Sequence, residues 1–501
     1  MMSQSRVKGI VISYITTIVR TLSKLLLTPL YLKVLGLDGY GFYQYVFSIA
    51  SYATILDFGI SSVINTFSIK HRENNDNDGV ENVMFYSLMF TFGAVALIAI
   101  AGAVVTICAP TIFGTAAVGR EELTRKLLVL IISELVLLML QHFFEGVMLS
   151  EEKYVTLRSV ALVQILFRCI ITILLLYSDI GVMSIALGDF FGVLICLAFE
   201  VFYCKIKLNL KIKYHYKDIE LLRGIIKLAC ALCLQSVVSF LNSSIDKYVL
   251  GRMLTTAAVS IYSVALTFST FFDEIPTVIQ RLYLPQVVKL VTSGASGEKM
   301  TDFVIKPGRY QFMLCGGVLG GFILYGRQFI ALWSGEETIE AWAIALLLMV
   351  PSVLPLIQNV CLSILTAMNK RMFRSYVLCG IALLNLLLTI FLVKKFGLMG
   401  APVGTFIALV LGNNLAMNWY YKNKIGINVK RLFLSIFKGI LPCFLAATAL
   451  CFPITLIKLN GWLWLISQCI VFIVVYAVLL WLFGINAVEK SQIREKLKIK
   501  N

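Results

Sequence analysis

Charge is scarce in this sequence. Only 14% of its 501 residues are Asp, Glu, Lys or Arg, against 59% that are hydrophobic. A soluble domain carries about a quarter charged residues. With a mean hydropathy of +0.88, the chain reads as an integral membrane protein of many spans. Histidine is rarer still. His71, His142 and His215 are the three in the chain, and none stands in an HxxxxD or similar catalytic arrangement. Long external loops are missing too. The longest, Ala109 to Lys126, is under about 20 residues, which leaves no extracytoplasmic domain to house an active site. A metal pattern is also lacking. The twelve cysteines lie mostly in apolar runs. Cys230 and Cys233 form a CxxC inside "KLACALCLQS", without a second pair or a neighbouring histidine. They read as packing residues, so no metal and no cofactor is expected. "CGGVLGG" at 315–321 has no Lys-Ser/Thr after it and is no phosphate loop. Its small-xxx-small spacing suits close helix packing. The first apolar stretch follows Arg6 and Lys8 without a small-residue cleavage site, so it reads as a retained helix.

What is abundant is apolar length. Stretches long enough to span a bilayer fall at 10–32, 40–66, 83–108, 127–149, 159–177, 180–203, 224–250, 257–280, 309–332, 340–366, 374–393, 397–420, 434–457 and 461–484, about fourteen in all. With the N-terminus in the cytoplasm and loops alternating, about 29 of the 44 Lys and Arg fall inside. The heaviest loops, 204–218, 369–374 and 421–431, and the tail 495–500 are all cytoplasmic on this count. Both termini are therefore expected inside. The net charge of +17 is a matter of topology and of contact with anionic lipids, and nucleic acid is not needed as a partner.

Two stretches echo each other. "VLGLDGYGFYQYVFSIASYATILDFGISSVI" starts at Val34, and "VLGRMLTTAAVSIYSVALTFSTFFDEIPTVI" starts at Val249. Each begins with VLG, passes a tyrosine (Tyr45, Tyr262) and reaches an acid (Asp57; Asp273 and Glu274). Six helices separate the copies, which keeps their orientation and suggests parallel repeats. The expected organisation is a six-helix lobe at 1–203, a basic cytoplasmic linker at 204–223, a second six-helix lobe at 224–420, and two additional helices with a basic tail at 421–501.

Polar residues inside spans mark sites by default. In the first span Ser13, Thr17, Arg20, Lys24, Thr28 and Tyr31 share one helical face. Lys24 lies roughly 16 Å of helix rise from the outer end, which strains snorkelling. A wall of a wet pathway is favoured over snorkelling and over an internal ion pair, for which Asp57 is the obvious partner. The seventh span offers Gln235, Ser239, Asn242, Ser243, Asp246 and Lys247. For Asp246 and Lys247 an interfacial ion pair is an equal alternative. The second span offers Thr54, Asp57, Ser61 and Asn65. Glu134, Gln141 and Glu145 lie in the fourth, Gln164 and Arg168 in the fifth. Arg168 joins the cation set, with a pair to Glu134 as the plain alternative.

"LKVLGLDGYGFYQYVFSIASYATILDFGISSVI" resembles the opening signature of bacterial polysaccharide flippases, the Wzx-type O-antigen and capsule transporters. "NSSIDKYVLGR" with "VSIYSVALTFS" resembles the start of their second lobe. That family shares a superfamily with MATE-type multidrug exporters and lipid II flippases. The resemblance implies two pseudo-symmetric six-helix lobes around a central cavity, here with two C-terminal helices added. It also implies alternating access in the bacterial cytoplasmic membrane. The implied substrate is an undecaprenyl-pyrophosphate-linked oligosaccharide, moved from the cytoplasmic to the outer leaflet for cell-surface polysaccharide. Other polysaccharide assembly proteins are candidate partners. Arg20, Lys24, Arg168 and Lys247 suit a pyrophosphate, and Ser13, Thr17, Thr28, Gln235, Ser239, Asn242 and Asp57 suit sugar hydroxyls. Asp57, Glu134 and Asp246 are candidates for ion coupling. The rival readings are a cation-coupled multidrug exporter of the same fold and, further off, a membrane polymerase or acyltransferase. The expected protein is a transporter, not an enzyme.

Overall fold

The computed structural model describes residues 4–114, 118–370, 372–457, 459, 461–487 and 489–491. The side chains at 4–11, 14, 55, 231, 234, 235, 238–243, 275, 278 and 281 are outside that description. Among the described residues the chain is mostly helical, with no β-strand. It divides into two compact units, Met1–Ser260 and Ile261–Asn501, the boundary falling inside one long helix.

In the first unit, α1 runs Gln4–Ala50 but is two helices in practice. Gly36 sits at φ 70° and ψ 173°, a conformation that a side chain disfavours. The VLG element is therefore a hinge between the first two expected spans. The second expected span is not continuous. A 3₁₀ segment, Ser51–Asp57, is followed by Phe58 at φ 51° and Gly59 at φ 61° before α2, Ile60–Glu73, begins. Two left-handed residues in succession cannot carry an α-helix. The expectation of one helix over 40–66 is corrected on that ground. The second VLG behaves differently, lying inside α8 (Ile219–Met253).

The remaining helices of this unit are α3 (Asn77–Ile107), the short α4 (Ala109–Phe113), α5 (Glu121–Ser150), α6 (Tyr154–Leu176) and α7 (Met183–Ile206). Asp76 caps α3 by accepting from the Gly79 amide at 2.8 Å. α5 is the central post, packed by α1, α2, α3, α6 and α7. Leu127, Leu128, Ile131 and Phe143 are all fully buried. α2 comes close enough for the Ser61 hydroxyl to donate to the His142 carbonyl at 2.7 Å.

The second unit holds most of α9 (Thr256–Thr292) and then α10 (Gly297–Ser334), α11 (Ala341–Ile357), α12 (Asn359–Ala367) and α13 (Met372–Phe396). α14 (Gly400–Leu409) and α15 (Met417–Tyr420) follow, each continued by a π segment. Then come α16 (Val429–Phe437), α17 (Ile440–Cys451) and α18 (Trp462–Leu479). α13 and α14 pack on each other about a turn at Gly397. The last helices fold back on α10. A Cβ at Gly320 would stand 2.7 Å from the Phe472 ring, so the small residues of 315–321 serve helix packing as expected. All twelve cysteines are free thiols.

Eight helices among the described residues are long and apolar enough to cross a membrane, nine if α16 and α17, bent by 42°, form one span. The fourteen expected spans exceed that number for two reasons. Met372–Ile425 passes as a single stretch of 54 residues. At roughly 81 Å of rise it is more than twice a bilayer core of about 30 Å, so it holds two passes. The other expected spans fall on α2, which is shorter than a span, and on α1, α8 and α9, which hold positions outside the description.

Candidate functional site

The first unit carries its charge in two layers along α5. The outer layer gathers Arg168 of α6, Asp189 of α7 and Tyr43 of α1. Arg168 forms an ion pair with Asp189. The Tyr43 hydroxyl donates to the other Asp189 oxygen at 3.0 Å. Glu134 lies within the field of Arg168 and Asp189, and one of its oxygens is buried without a hydrogen-bond partner. The alternative of a pair between Arg168 and Glu134 thus gives way to a pair with Asp189. Asp189 wins because α6 and α7 form a tight hairpin, and Glu134 is left as the neighbour.

The inner layer lies about two turns along α5. His142 Nδ1 is 2.8 Å from Asp57 Oδ1. The disfavoured alternative, a pair of Asp57 with Arg20 or Lys24, gives way to this one, because the 3₁₀ segment aims Asp57 at α5 rather than along α1. Glu145 lies in the field of His142, Arg158, Asp57 and Arg20. Gln141 donates to Gln164 at 3.3 Å and to Glu200 at 3.2 Å. A cavity of about 350 Å³ opens beside this layer. Thr54, Asp57, His142 and Ser236 supply its polar lining, against Ile98, Leu135, Leu138, Met139 and Leu232.

On α1 the polar stripe is only partly available to a ligand. The Thr17 hydroxyl donates to the Ser13 carbonyl at 2.9 Å, and Thr28, buried, donates to the Lys24 carbonyl at 2.8 Å. Hydroxyls bonded to the carbonyl four residues back have spent their proton inside the helix. Arg20 and Lys24 are exposed, alternating with exposed Ile18, Leu22 and Leu26 on another face. Lys247 of α8 donates to Gln44 at 2.9 Å and lies within the field of Lys24. Asp246 is buried and lies in the field of Tyr52. The side chains of Gln235, Ser239 and Asn242 lie outside the described residues.

His142, Tyr43, Asp189 and Glu200 were not among the expected site residues. The signal for the last two was an acid in an apolar span, the criterion already applied to α5. Among the described residues no three His, Cys, Asp or Glu side chains are grouped to hold a metal ion.

Outside the spans, α3 begins on a charged clasp. His71 Nδ1 is 2.7 Å from Asp76 Oδ2. The Gly79 amide, then His71, hold the Asp76 carboxyl below its ordinary range. His215 Nε2 is 2.8 Å from Glu81 Oε2, and Asn82 donates to the Tyr216 carbonyl at 2.9 Å. The 214–218 stretch is thereby held on the start of α3.

Comparison with known proteins places this architecture. A Shigella flexneri protein named as an O-antigen transporter is 21% identical over 395 residues, covering 77% of this chain and 90% of that protein. A Haloferax volcanii protein named as the flippase AglR is 28% identical over 187 residues, covering 35% and 37% of the two chains. Among solved structures, the lipid II flippase MurJ in an inward closed conformation superposes with a TM-score of 0.74 at 14% identity, covering 94% of this chain and 98% of that one. An inward-facing MATE multidrug transporter of the MOP superfamily superposes at 0.68 and 13% identity, covering 81% and 94%. The fold is that of these transporters. The family model described as "Polysaccharide biosynthesis protein" matches residues 6–285, more than half of the chain. This multi-pass membrane protein belongs to the polysaccharide biosynthesis protein family.

Proposed function

We propose that this protein is a flippase that moves an undecaprenyl-pyrophosphate-linked oligosaccharide from the cytoplasmic to the outer leaflet of a bacterial cytoplasmic membrane by alternating access. The observation that carries the reading is the set of cations that α1 and α8 bring to the first unit: Arg20 and Lys24, both exposed, and Lys247, which donates to Gln44 at 2.9 Å. Charged side chains in membrane-spanning segments mark substrate and ion pathways. A pyrophosphate with about two negative charges fits these cations. With the inside negative, outward movement of each charge gains roughly 2.3 kcal/mol per 100 mV. The names of the Shigella and Haloferax relatives and the MurJ-like fold support the same reading. In it the chain works as two six-helix lobes, 1–203 and 224–420, joined by 204–223 and followed by 421–501, with both termini cytoplasmic.

The test is lipid extraction from a deletion strain complemented with wild type or with Lys24→Ala/Lys247→Ala. The null strain accumulates an undecaprenyl-linked glycan on the cytoplasmic face. The double variant fails to clear it, although inserted at normal level. Full glycan display in the double variant removes the cation mechanism. A second reading, a cation-coupled exporter of the same fold, draws on the acids near the cavity of the first unit. It predicts dye export with glycan display unchanged in the deletion strain.

A further inference from the structure

In the second unit, α11 cannot complete its own hydrogen-bond ladder. Pro351 and Pro355 both lie inside it, four positions apart and so on one face. A proline has no N–H, so the carbonyl four residues back loses its helical donor, and the ring pushes that carbonyl aside. Pro351 does this to Leu347, and Pro355 does it to Pro351. Two bonds are lost on the same face, which concentrates a bend there. Just beyond, Gln358 stands at φ −110° and ψ 18° and ends α11, and α12 starts at Asn359. The span expected over 340–366 is therefore two rods joined by a weak segment, 351–358. Both rods are held firmly. Ala341, Ile344 and Ala345 are fully buried in the first, and Val360, Cys361 and Ile364 in the second.

The carbonyl that Pro355 frees does find a donor. Asn414 Nδ2 donates to the Pro351 carbonyl at 3.2 Å, and Asn414 is buried. Prolines are tolerated inside membrane spans where a neighbouring helix re-satisfies the freed backbone in this way. Asn414 belongs to the π segment Val410–Ala416, a departure from α geometry that is frequent at functional sites. That segment is closely seated, since a Cβ at Gly412 would stand 2.1 Å from Ile381 of α13. Asn414 Oδ1 is buried without a hydrogen-bond partner. An unpaired buried oxygen is costly, and an apolar side chain would avoid that cost. The donor bond to Pro351 is what the asparagine supplies in return.

We propose that 351–358 is a hinge in α11 and that Asn414 is its catch. The catch holds one bend by replacing the bond that Pro355 removes from the ladder. It lets go when the two rods change their angle, because the carbonyl then leaves a fixed donor. Hydrogen bonds weaken steeply with misalignment, so the hinge has two settings, caught and released. The use of the hinge in transport rests on the transporter reading, whereas the hinge and its catch do not.

Two measurements on the full-length protein test it. The first is hydrogen–deuterium exchange with mass spectrometry in detergent, on Asn414→Leu, Pro355→Ala and the double variant. Asn414→Leu speeds exchange of the amides in 352–361 by about threefold or more and leaves α5 unchanged. Pro355→Ala supplies the missing N–H to the Pro351 carbonyl. It slows the same amides and makes them insensitive to Asn414→Leu. Unchanged exchange in Asn414→Leu, or an equal increase with and without Pro355, overturns the proposal. The second measurement needs Pro355→Ala alone, in proteoliposomes with a fluorescent undecaprenyl-pyrophosphate-linked sugar. Stiffening the hinge slows crossing by about threefold or more. A wild-type rate in Pro355→Ala overturns the use of the hinge in transport. If the probe does not cross with wild type but the exchange pattern is seen, the substrate reading fails and the hinge stands.

Discussion

Arg309 offers the sharpest test of how the second unit is held together. It is 3% exposed, and its partner Glu489 is also buried. Nε donates to Glu489 Oε1 at 2.8 Å, and Nη2 donates to Glu489 Oε2 at 3.1 Å. Nη2 also donates to the Gly484 carbonyl at 2.6 Å. Nη1 donates to the carbonyls of Ser435 and Lys438, each at 3.0 Å. All five N–H donors of a guanidinium are thus used. The contact ties α10 to the α16–α17 break, to the end of α18 and to the segment beyond it. Removing one partner of a buried pair costs about 3–5 kcal/mol, because the other charge is left uncompensated. In a unit of this size each kcal/mol is worth about 2–4 °C. Arg309→Met should therefore lower the melting temperature by roughly 6–20 °C. Arg309→Met/Glu489→Leu should recover part of that loss, since no charge remains buried, though three carbonyls stay unpaired. Arg309→Lys should fall between wild type and Arg309→Met, because an ammonium offers three donors and no fork. Thermal unfolding of the detergent-solubilised protein reads the series. Arg309→Met within about 2 °C of wild type, or a double variant no better than the single, refutes the reasoning.

Asp76→Ala should destabilise by about 1 kcal/mol through loss of the α3 cap, with Asp76→Asn close to wild type in the same melt. Because the folded state holds the Asp76 carboxyl below its ordinary range, its contribution is present above the unfolded value. It is lost as pH falls through the folded one, so the difference between wild type and Asp76→Asn should vanish in strong acid. Gly320→Leu should overpack against Phe472 and cost about 1–3 kcal/mol, and Gly320→Ala less, both visible by thermal unfolding. Gly36→Val should lower the yield of folded protein more than Gly39→Val does, because only Gly36 needs a positive φ. Expression with size-exclusion chromatography checks it.

The membrane class was legible because hydropathy acts locally. So was the stripe on α1, which follows from helical period alone. The partners were not legible. Asp57 meets His142 across 85 positions of sequence, and Arg168 meets Asp189 through a hairpin whose register depends on Gly181 and Asp179 at positive φ. Spacing along one helix cannot tell which neighbour a carboxyl will face. The hydroxyls of Thr17 and Thr28 misled for the opposite reason: they sit on the polar face and still bond their own helix. The break after Asp57 is encoded in two residues, Phe58 and Gly59, too short a signal to interrupt an apolar run.

α5 also sets a problem of order during synthesis. Its buried apolar face meets α2 and α3, which are already made when it enters the membrane. Glu134, Gln141 and Glu145 must wait for Arg168, Gln164 and Arg158 on α6, and for Asp189 and Glu200 on α7. For the time it takes to add some fifty residues, on the order of seconds, the polar side of the post faces lipid without its neighbours. The insertion machinery, or water drawn in beside it, must shelter that side until α7 arrives. A chain stopped before Met183 should therefore be a target for membrane quality control rather than a stable fragment.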